Sequence, residues 1–236
     1  MVITMEWTLV FGRFYGIDSF VELLTVIVCF VISFYSIRVY KLIKDKNYKF
    51  FSIAFLLLGI SFLFKIFSNI TFFNKFQVHE ANFVLTIISH FRFVELINFF
   101  SFTFYKIFHI IGFLLLFLTL TKNEDKEKTW LFIYLSVIVV LFSIYFNFVF
   151  HLTLVFILIY LALYFYENYR KRENINSFLV FISFLIILTS HLFFIFSDVS
   201  NLFYFTGEVF LLIGFLCLLT NQVKLKRETK VLRRNK

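Results

Sequence analysis

The sequence contains no proline, six glycines, two cysteines and few charged residues, with Asp, Glu, Lys and Arg making up 16% of 236 residues. So small a charged fraction excludes an ordinary soluble domain, in which about a quarter of the residues are charged. The cysteines, Cys29 and Cys217, both lie in apolar segments, where a thiol behaves as a small hydrophobe rather than a disulfide partner or metal ligand. The lack of proline and the scarcity of glycine also weigh against transporters built on broken helices.

What the sequence does contain is apolar: hydrophobic residues make up 61% of the chain and aromatic residues 23%. This composition predicts an integral membrane protein. Crossing a hydrocarbon core about 30 Å thick takes roughly 20 apolar residues of helix. The chain therefore predicts an all-α, seven-span transmembrane helical bundle, with spans at about 18–37, 50–70, 96–121, 129–147, 149–166, 177–197 and 203–222.

The boundary between the fourth and fifth spans is the least marked, because no charge interrupts the chain from Trp130 to Tyr166. As one helix this segment would be about 55 Å long, so it must fold back as a hairpin, with Asn147 as the turn residue. The start of the chain lacks the basic region and cleavage site of a secretory signal, so we expect the first span to serve as its own insertion signal. Residues 1–223 are predicted to form a single transmembrane domain, followed by a basic tail at 224–236.

The distribution of basic residues predicts the orientation in the membrane. Most of the 23 Lys and Arg residues fall in four segments, 38–49, 122–128, 170–172 and 224–236, which alternate along the chain with segments poor in basic residues. Since cytoplasmic loops carry the excess of Lys and Arg, the N terminus is predicted outside and the C terminus in the cytoplasm. The localisation expected is the cell membrane, with several spans.

The long connection at 71–95 would then be external. Its apolar residues recur at helical spacing between Phe83 and Val94. This pattern is typical of an interfacial helix lying on the outer leaflet, and equally of an N-terminal extension of the third span.

Four charges inside the predicted spans share one depth. Glu22, Lys65, Lys106 and Glu208 each lie 16 residues from the first charged residue at the cytoplasmic end of their span. Sixteen residues of helix are about 24 Å long, which places all four roughly 6 Å below the outer edge of the core. If the helices form a ring in chain order, spans seven, one, two and three are neighbours and the charges can pair.

Three histidines lie at similar depth, so the predicted intramembrane polar layer consists of Glu22, Lys65, Lys106, His109, His151, His191 and Glu208. Polar residues also form a stripe along the first span in steps of three and four, which predicts an inward-facing surface: Asp18, Glu22, Thr25, Cys29, Ser33 and Ser36. Ser61, Lys65 and Ser68 form a shorter stripe on the second span, and on the third Lys106 lies at the margin of the polar face. Two interpretations stay open: structural ion pairs or snorkelling side chains, and a site for binding or transport.

Familiar membrane-protein motifs are missing. The seventh span has no lysine for a retinal Schiff base, no DRY-like triplet or NPxxY-like segment is present, and the histidines are scattered singly rather than paired as in zinc hydrolases. The sequence therefore predicts no catalytic residue, no metal site and no cofactor. The leading hypothesis is a non-enzymatic sensor, receptor-like module or scaffold; the alternatives are a small ion or proton transporter using the outer polar layer and, third, a metal-dependent membrane hydrolase.

The tail from Lys224 to Lys236 is rich in basic residues. This predicts an anchor to anionic lipid next to the membrane, at about 1 kcal/mol for each basic residue near the surface. The expected partners are the lipid bilayer and an unidentified protein that receives the signal, and no nucleic acid is expected.

Overall fold

The apolar segments form seven α-helices in a computed structural model, which describes residues 17–77, 84–121, 126–143 and 146–234. No strand occurs within these ranges. The helices are α1 (Ile17–Ile43), α2 (Lys46–Gln77), α3 (Val84–Thr121), α4 (Lys126–Ser143), α5 (Asn147–Arg172), α6 (Ile175–Ile195) and α7 (Asn201–Arg234).

Six of these helices are long and apolar enough to cross a membrane: Asp18–Ile43, Lys46–Ile70, Val94–Leu120, Asn147–Lys171, Ile175–Ile195 and Leu202–Lys224. The helical, membrane-spanning architecture expected from the composition is therefore supported. In α4 the apolar stretch among residues whose side chains the structure describes, Tyr134–Ser143, is shorter than these six. The structure thus supports six spans, and the seventh stays a prediction.

Six helices form a closed ring, and α4 lies outside it. Going round the ring, α1 packs on α2, α2 on α3, α3 on α5, α5 on α6, α6 on α7 and α7 on α1. The neighbours expected for the predicted charges, α7, α1, α2 and α3, are therefore adjacent. A ring in strict chain order is not what forms, because α4 packs on the outer side against α3 and α5.

Aromatic side chains fill the interior of the ring. Phe62 and Phe55 of α2 both meet the ring of Phe215 on α7 edge-on, with centroids 5.8 and 6.1 Å apart. Helix association in lipid depends on such close packing, since lipid tails are as apolar as the core. Gly112 lets α3 approach α2 closely, because a Cβ there would lie 2.8 Å from Leu58 Cγ.

Two serines join α1 to α2 near the opposite end from the predicted polar layer. Ser33 Oγ donates to the carbonyl oxygen of Ser52 at 2.8 Å, and Ser52 Oγ donates to the carbonyl oxygen of Ser33 at 2.8 Å. Both side chains are buried, where a hydrogen bond between helices has no competition from water. We call these residues the serine pair.

The connections correct several boundaries. The predicted hairpin is present, but α4 ends at Ser143 and Asn147 is the first residue of α5, with Phe146 at its N-cap. Since α3 runs unbroken from Val84 to Thr121, the segment before the third span is its N-terminal extension from Val84 onward, and not a separate interfacial helix. The start of that segment and residues 1–16 lie outside the described residues.

Candidate functional site

Lys65 of α2 occupies the centre of a charged group inside the ring. Its Nζ lies 3.0 Å from Glu22 Oε1 of α1 and also contacts Glu208 Oε1 of α7. Both glutamates are fully buried and Lys65 is 6% exposed. A buried lysine held between two carboxylates joins three helices through charge-assisted hydrogen bonds.

Asn69 supports this group from the next turn of α2. Its Nδ2 donates to Glu22 at 3.1 Å (Oε1) and 3.0 Å (Oε2), so both oxygens of that carboxylate have partners. Sequence reasoning missed Asn69. The available signal was its position four residues after Lys65, which places it on the same helix face.

Three aromatic rings surround the Lys65 ammonium. The centroids of Tyr204, Phe194 and Tyr105 lie 5.2, 5.3 and 5.6 Å from Nζ. These rings come from α7, α6 and α3, and distances below about 6 Å place the cation within range of each ring's negative face. Both carboxylates and aromatic rings therefore surround the ammonium.

Asp18 lies one turn before Glu22 on α1, is 8% exposed, and interacts electrostatically with both Glu208 and Lys65. We define Asp18, Glu22, Lys65 and Glu208 as the acid site. When ionised, its three carboxylates exceed its one ammonium by two charges. Two of its buried oxygens, Asp18 Oδ1 and Glu208 Oε2, have no hydrogen-bond partner among the described residues.

Lys106 does not belong to the acid site, although its predicted depth is the same. The side chain is 1% exposed and its Nζ donates to the carbonyl oxygen of Ser143 at 2.5 Å. It also lies 4.4 Å from the centroid of Phe102. No carboxylate of the described side chains lies within 4.0 Å of it. Lys106 therefore contacts the last turn of α4, where the free carbonyls at a helix C terminus favour a cation.

The predicted histidines come together on the other side of the ring. His109 of α3, His151 of α5 and His191 of α6 form what we call the histidine cluster. His151 Nδ1 and His191 Nδ1 are 3.2 Å apart, and the rings of His109 and His191 have centroids 5.7 Å apart. At this distance one Nδ1 donates and the other accepts, so the two nitrogens cannot both carry a proton. His109 Nδ1 pairs with Ser61 Oγ at 3.0 Å.

Two rings connect the histidine cluster to the acid site. Tyr105 lies 5.6 Å from Lys65 Nζ and 5.3 Å from the His109 ring. Phe194 lies 5.3 Å from the same Nζ and 5.0 Å from the His151 ring. Six of the seven predicted residues thus form one connected layer, and Lys106 reaches it through Phe150, whose ring lies 5.8 Å from Lys106 Nζ and 4.9 Å from the His151 ring.

An apolar layer closes the bundle beneath this polar one. Each ring helix has a side chain that is at most 1% exposed seven residues, or about 10 Å, from its residue in the polar layer. The starting residues are Glu22, Lys65, His109, His151, His191 and Glu208. The side chains seven residues away, which we call the apolar layer, are Cys29, Leu58, Leu116, Leu158, Phe184 and Phe215. The buried acidic, lysine and histidine side chains are therefore confined to one end of the ring.

Within the part of the chain that the structure describes, no three side chains of His, Cys, Asp or Glu are grouped so as to hold a metal ion. Comparisons of the chain with protein-family models, with curated proteins and with solved structures find no match. The function of the protein must therefore be inferred from the geometry of the acid site, the histidine cluster and the apolar layer.

Proposed function

We propose that this multi-pass membrane protein is a non-enzymatic sensor or receptor-like module, in which neutralisation of the acid site changes the packing of α1, α2 and α7. The observation that carries the proposal is the confinement of all these ionisable groups to one end of the ring above a complete apolar layer. Such a site is open to events on one side of the membrane only. A charge change there alters helix packing without moving a solute across.

The acid site depends on charge balance, which is why it is suited to sensing. Glu22, Lys65 and Glu208 hold three helices together through ionic contacts. Removing or adding one charge in a poorly hydrated interior changes the energy of such contacts by several kcal/mol. A bound proton or cation is therefore enough to shift the equilibrium between two helix arrangements.

We further propose that the N terminus is outside and the C terminus cytoplasmic in the cell membrane, so that the acid site faces outward. The alternation of basic segments supports this orientation. We also propose that α4 is the seventh span: its 18 residues are about 27 Å long, close to the thickness of the core. An even number of spans would place both termini on one side, against the charge distribution.

The proposed signalling route ends at partners on the cytoplasmic side. Helix α7 carries Glu208 and continues to Arg234, so a movement at the acid site reaches the basic tail through one continuous helix. We propose that the tail binds anionic lipid and that an unidentified protein partner reads its position.

A transporter is the second candidate, favoured by the continuous contact from the acid site through Tyr105 and Phe194 to the histidine cluster. Chains of carboxylates and histidines are typical of proton relays. The two functions differ in one measurable respect, since a transporter moves protons or ions across the apolar layer.

The test combines a flux assay with a distance measurement in liposomes. A pH-sensitive dye inside the vesicles reports proton entry after external acidification. Spin labels replacing Phe20 of α1 and Leu202 of α7, both exposed near the acid site, report helix movement. A label pair at Leu42 and Thr220, at the other end of the same helices, reports whether the movement reaches the end that continues into the tail.

The sensor proposal predicts a changed distance between both pairs of labels and no proton flux. Glu208→Gln should abolish the change. Flux that depends on Glu208 would replace the sensor with the transporter, and a protein showing neither flux nor movement would contradict both.

A further inference from the structure

We infer that the acid site binds a small external ammonium ion beside Lys65, between Glu208 Oε2 and Asp18 Oδ1. The inference rests on the proposed sensor function and names the chemical class of its ligand. It starts from the charges: Asp18, Glu22 and Glu208 are at most 8% exposed and have Lys65 as their one cationic partner among the described residues. Buried charges are stable when they are balanced.

The hydrogen bonds of the site show where the additional cation binds. Glu22 is satisfied, since Lys65 and Asn69 contact its oxygens. Glu208 contacts Lys65 through Oε1, and its Oε2 is buried with no partner among the described side chains. Asp18 Oδ1 is in the same condition. Two buried carboxylate oxygens are thus available to accept N–H donors, and an unfilled acceptor in such a place is costly.

Lys65 itself shows which cation the site suits. Its ammonium is held by carboxylate oxygens and by the faces of Tyr105, Phe194 and Tyr204. Carboxylates together with aromatic rings are the surroundings in which proteins recognise organic ammonium ions. The rings attract the cation but cannot replace the water shell that an inorganic cation holds tightly. An ammonium also donates several hydrogen bonds, which matches two separate acceptors.

The end of the bundle away from the apolar layer is the side from which we infer that this ligand enters. Asp18 precedes Glu22 by one turn, and Tyr204 precedes Glu208 by one turn, so both lie nearer that end than the ion pairs. Asp18 is also the most exposed residue of the acid site. An ammonium ion therefore meets Asp18 first and Glu208 next.

The experiment measures thermal unfolding of the purified full-length protein in detergent at constant neutral pH and ionic strength. Methylammonium is the probe; sodium and tetramethylammonium, which lack N–H donors, are the comparison ions. Methylammonium should raise the Tm saturably, by about 2 to 4 °C for a site near full occupancy. The comparison ions should leave it unchanged.

Variants separate binding at this site from a general salt effect. Glu208→Gln should abolish the methylammonium shift and Asp18→Asn should reduce it. If Glu208→Gln does not fold, the milder change at the less buried Asp18 still decides the question. Lys106→Met is the matched control, because that lysine is buried without contacting the acid site; the variant should keep the full shift.

An equal shift with sodium, a shift that survives both carboxylate substitutions, or no saturable shift at all would each overturn the ammonium site. A protein that responds to external acid in the spin-label assay but not to methylammonium would refute this inference and leave the sensor proposal standing. Conversely, a methylammonium shift without any helix movement would support the site and contradict the sensor.

Discussion

Replacement of Lys65 by methionine should be among the most destabilising single changes in the interior. The substitution keeps the length of the side chain and removes its charge, leaving Glu22 and Glu208 buried without their shared cation. At 3.0 Å and an effective dielectric constant of about 20, one Lys65 to Glu22 attraction is worth about 5 kcal/mol before desolvation is subtracted. Removing one partner of a buried pair costs about 3 to 5 kcal/mol, and we expect a loss in that range.

The companion change, Glu208→Gln, should cost less, because Lys65 keeps Glu22 and the glutamine amide still accepts a hydrogen bond. Lys65→Met alone leaves two buried carboxylates, Glu22 and Glu208, without a cation. The double variant Lys65→Met, Glu208→Gln leaves one, Glu22. The loss of stability in the double variant should therefore be smaller than the sum of the single losses, with a coupling on the order of 0.5 to 3 kcal/mol.

The free energy of unfolding can be measured by steric trapping in bicelles, where the bilayer-like environment is retained. The matched control is the cycle of Lys106→Met with Glu208→Gln. These residues share no contact among the described atoms, so their effects should add to within about 0.5 kcal/mol. Additive effects in the Lys65 cycle, or a nearly neutral Lys65→Met, would show that the charge contacts do not hold the helices together.

Three further predictions concern other parts of the molecule. In a cysteine-free background, a membrane-impermeant thiol reagent applied from outside should label Val199→Cys and not Glu173→Cys, and the reverse pattern would invert the orientation. Lys106→Met should lower stability by about 1.5 to 3 kcal/mol and speed hydrogen exchange in the last turn of α4, where Ser143 loses its charged donor; unchanged exchange would remove its role in holding α4. Replacing all basic residues of the tail with Gln should weaken binding of the isolated tail to anionic vesicles by about 1 kcal/mol for each residue near the surface. The residues to replace are Lys224, Lys226, Arg227, Lys230, Arg233, Arg234 and Lys236. Unchanged binding would leave the tail without a lipid role.

Depth along a helix could be read from the sequence because rise per residue is constant. Counting 16 residues from the charged ends placed Glu22, Lys65 and Glu208 at one level, and the structure brings these three into contact. The stripe on α1 could be read for a related reason, since steps of three and four keep residues on one face. All six of its members are buried.

Direction around a helix was harder to predict for Lys106. It is adjacent in sequence to Tyr105, yet successive residues on a helix point about 100° apart. Tyr105 therefore faces Lys65 while Lys106 faces Ser143 of α4. Predicting this contact requires knowing that α4 lies outside the ring, and the periodicity of α4 does not reveal that, because lipid and protein interiors are equally apolar.

The position of the serine pair determines how the acid site can open. Because Ser33 and Ser52 fasten α1 to α2 with reciprocal hydrogen bonds, the two helices are held together at that level and separate more easily at the other end. Glu22 is eleven residues from Ser33, a lever arm of about 16 Å. A tilt of α1 by about 5° around the serine pair would carry Glu22 roughly 1.4 Å away from Lys65, enough to break their hydrogen bond. The serine pair is then the pivot of α1, and a small rotation of that helix is sufficient to separate Glu22 from Lys65.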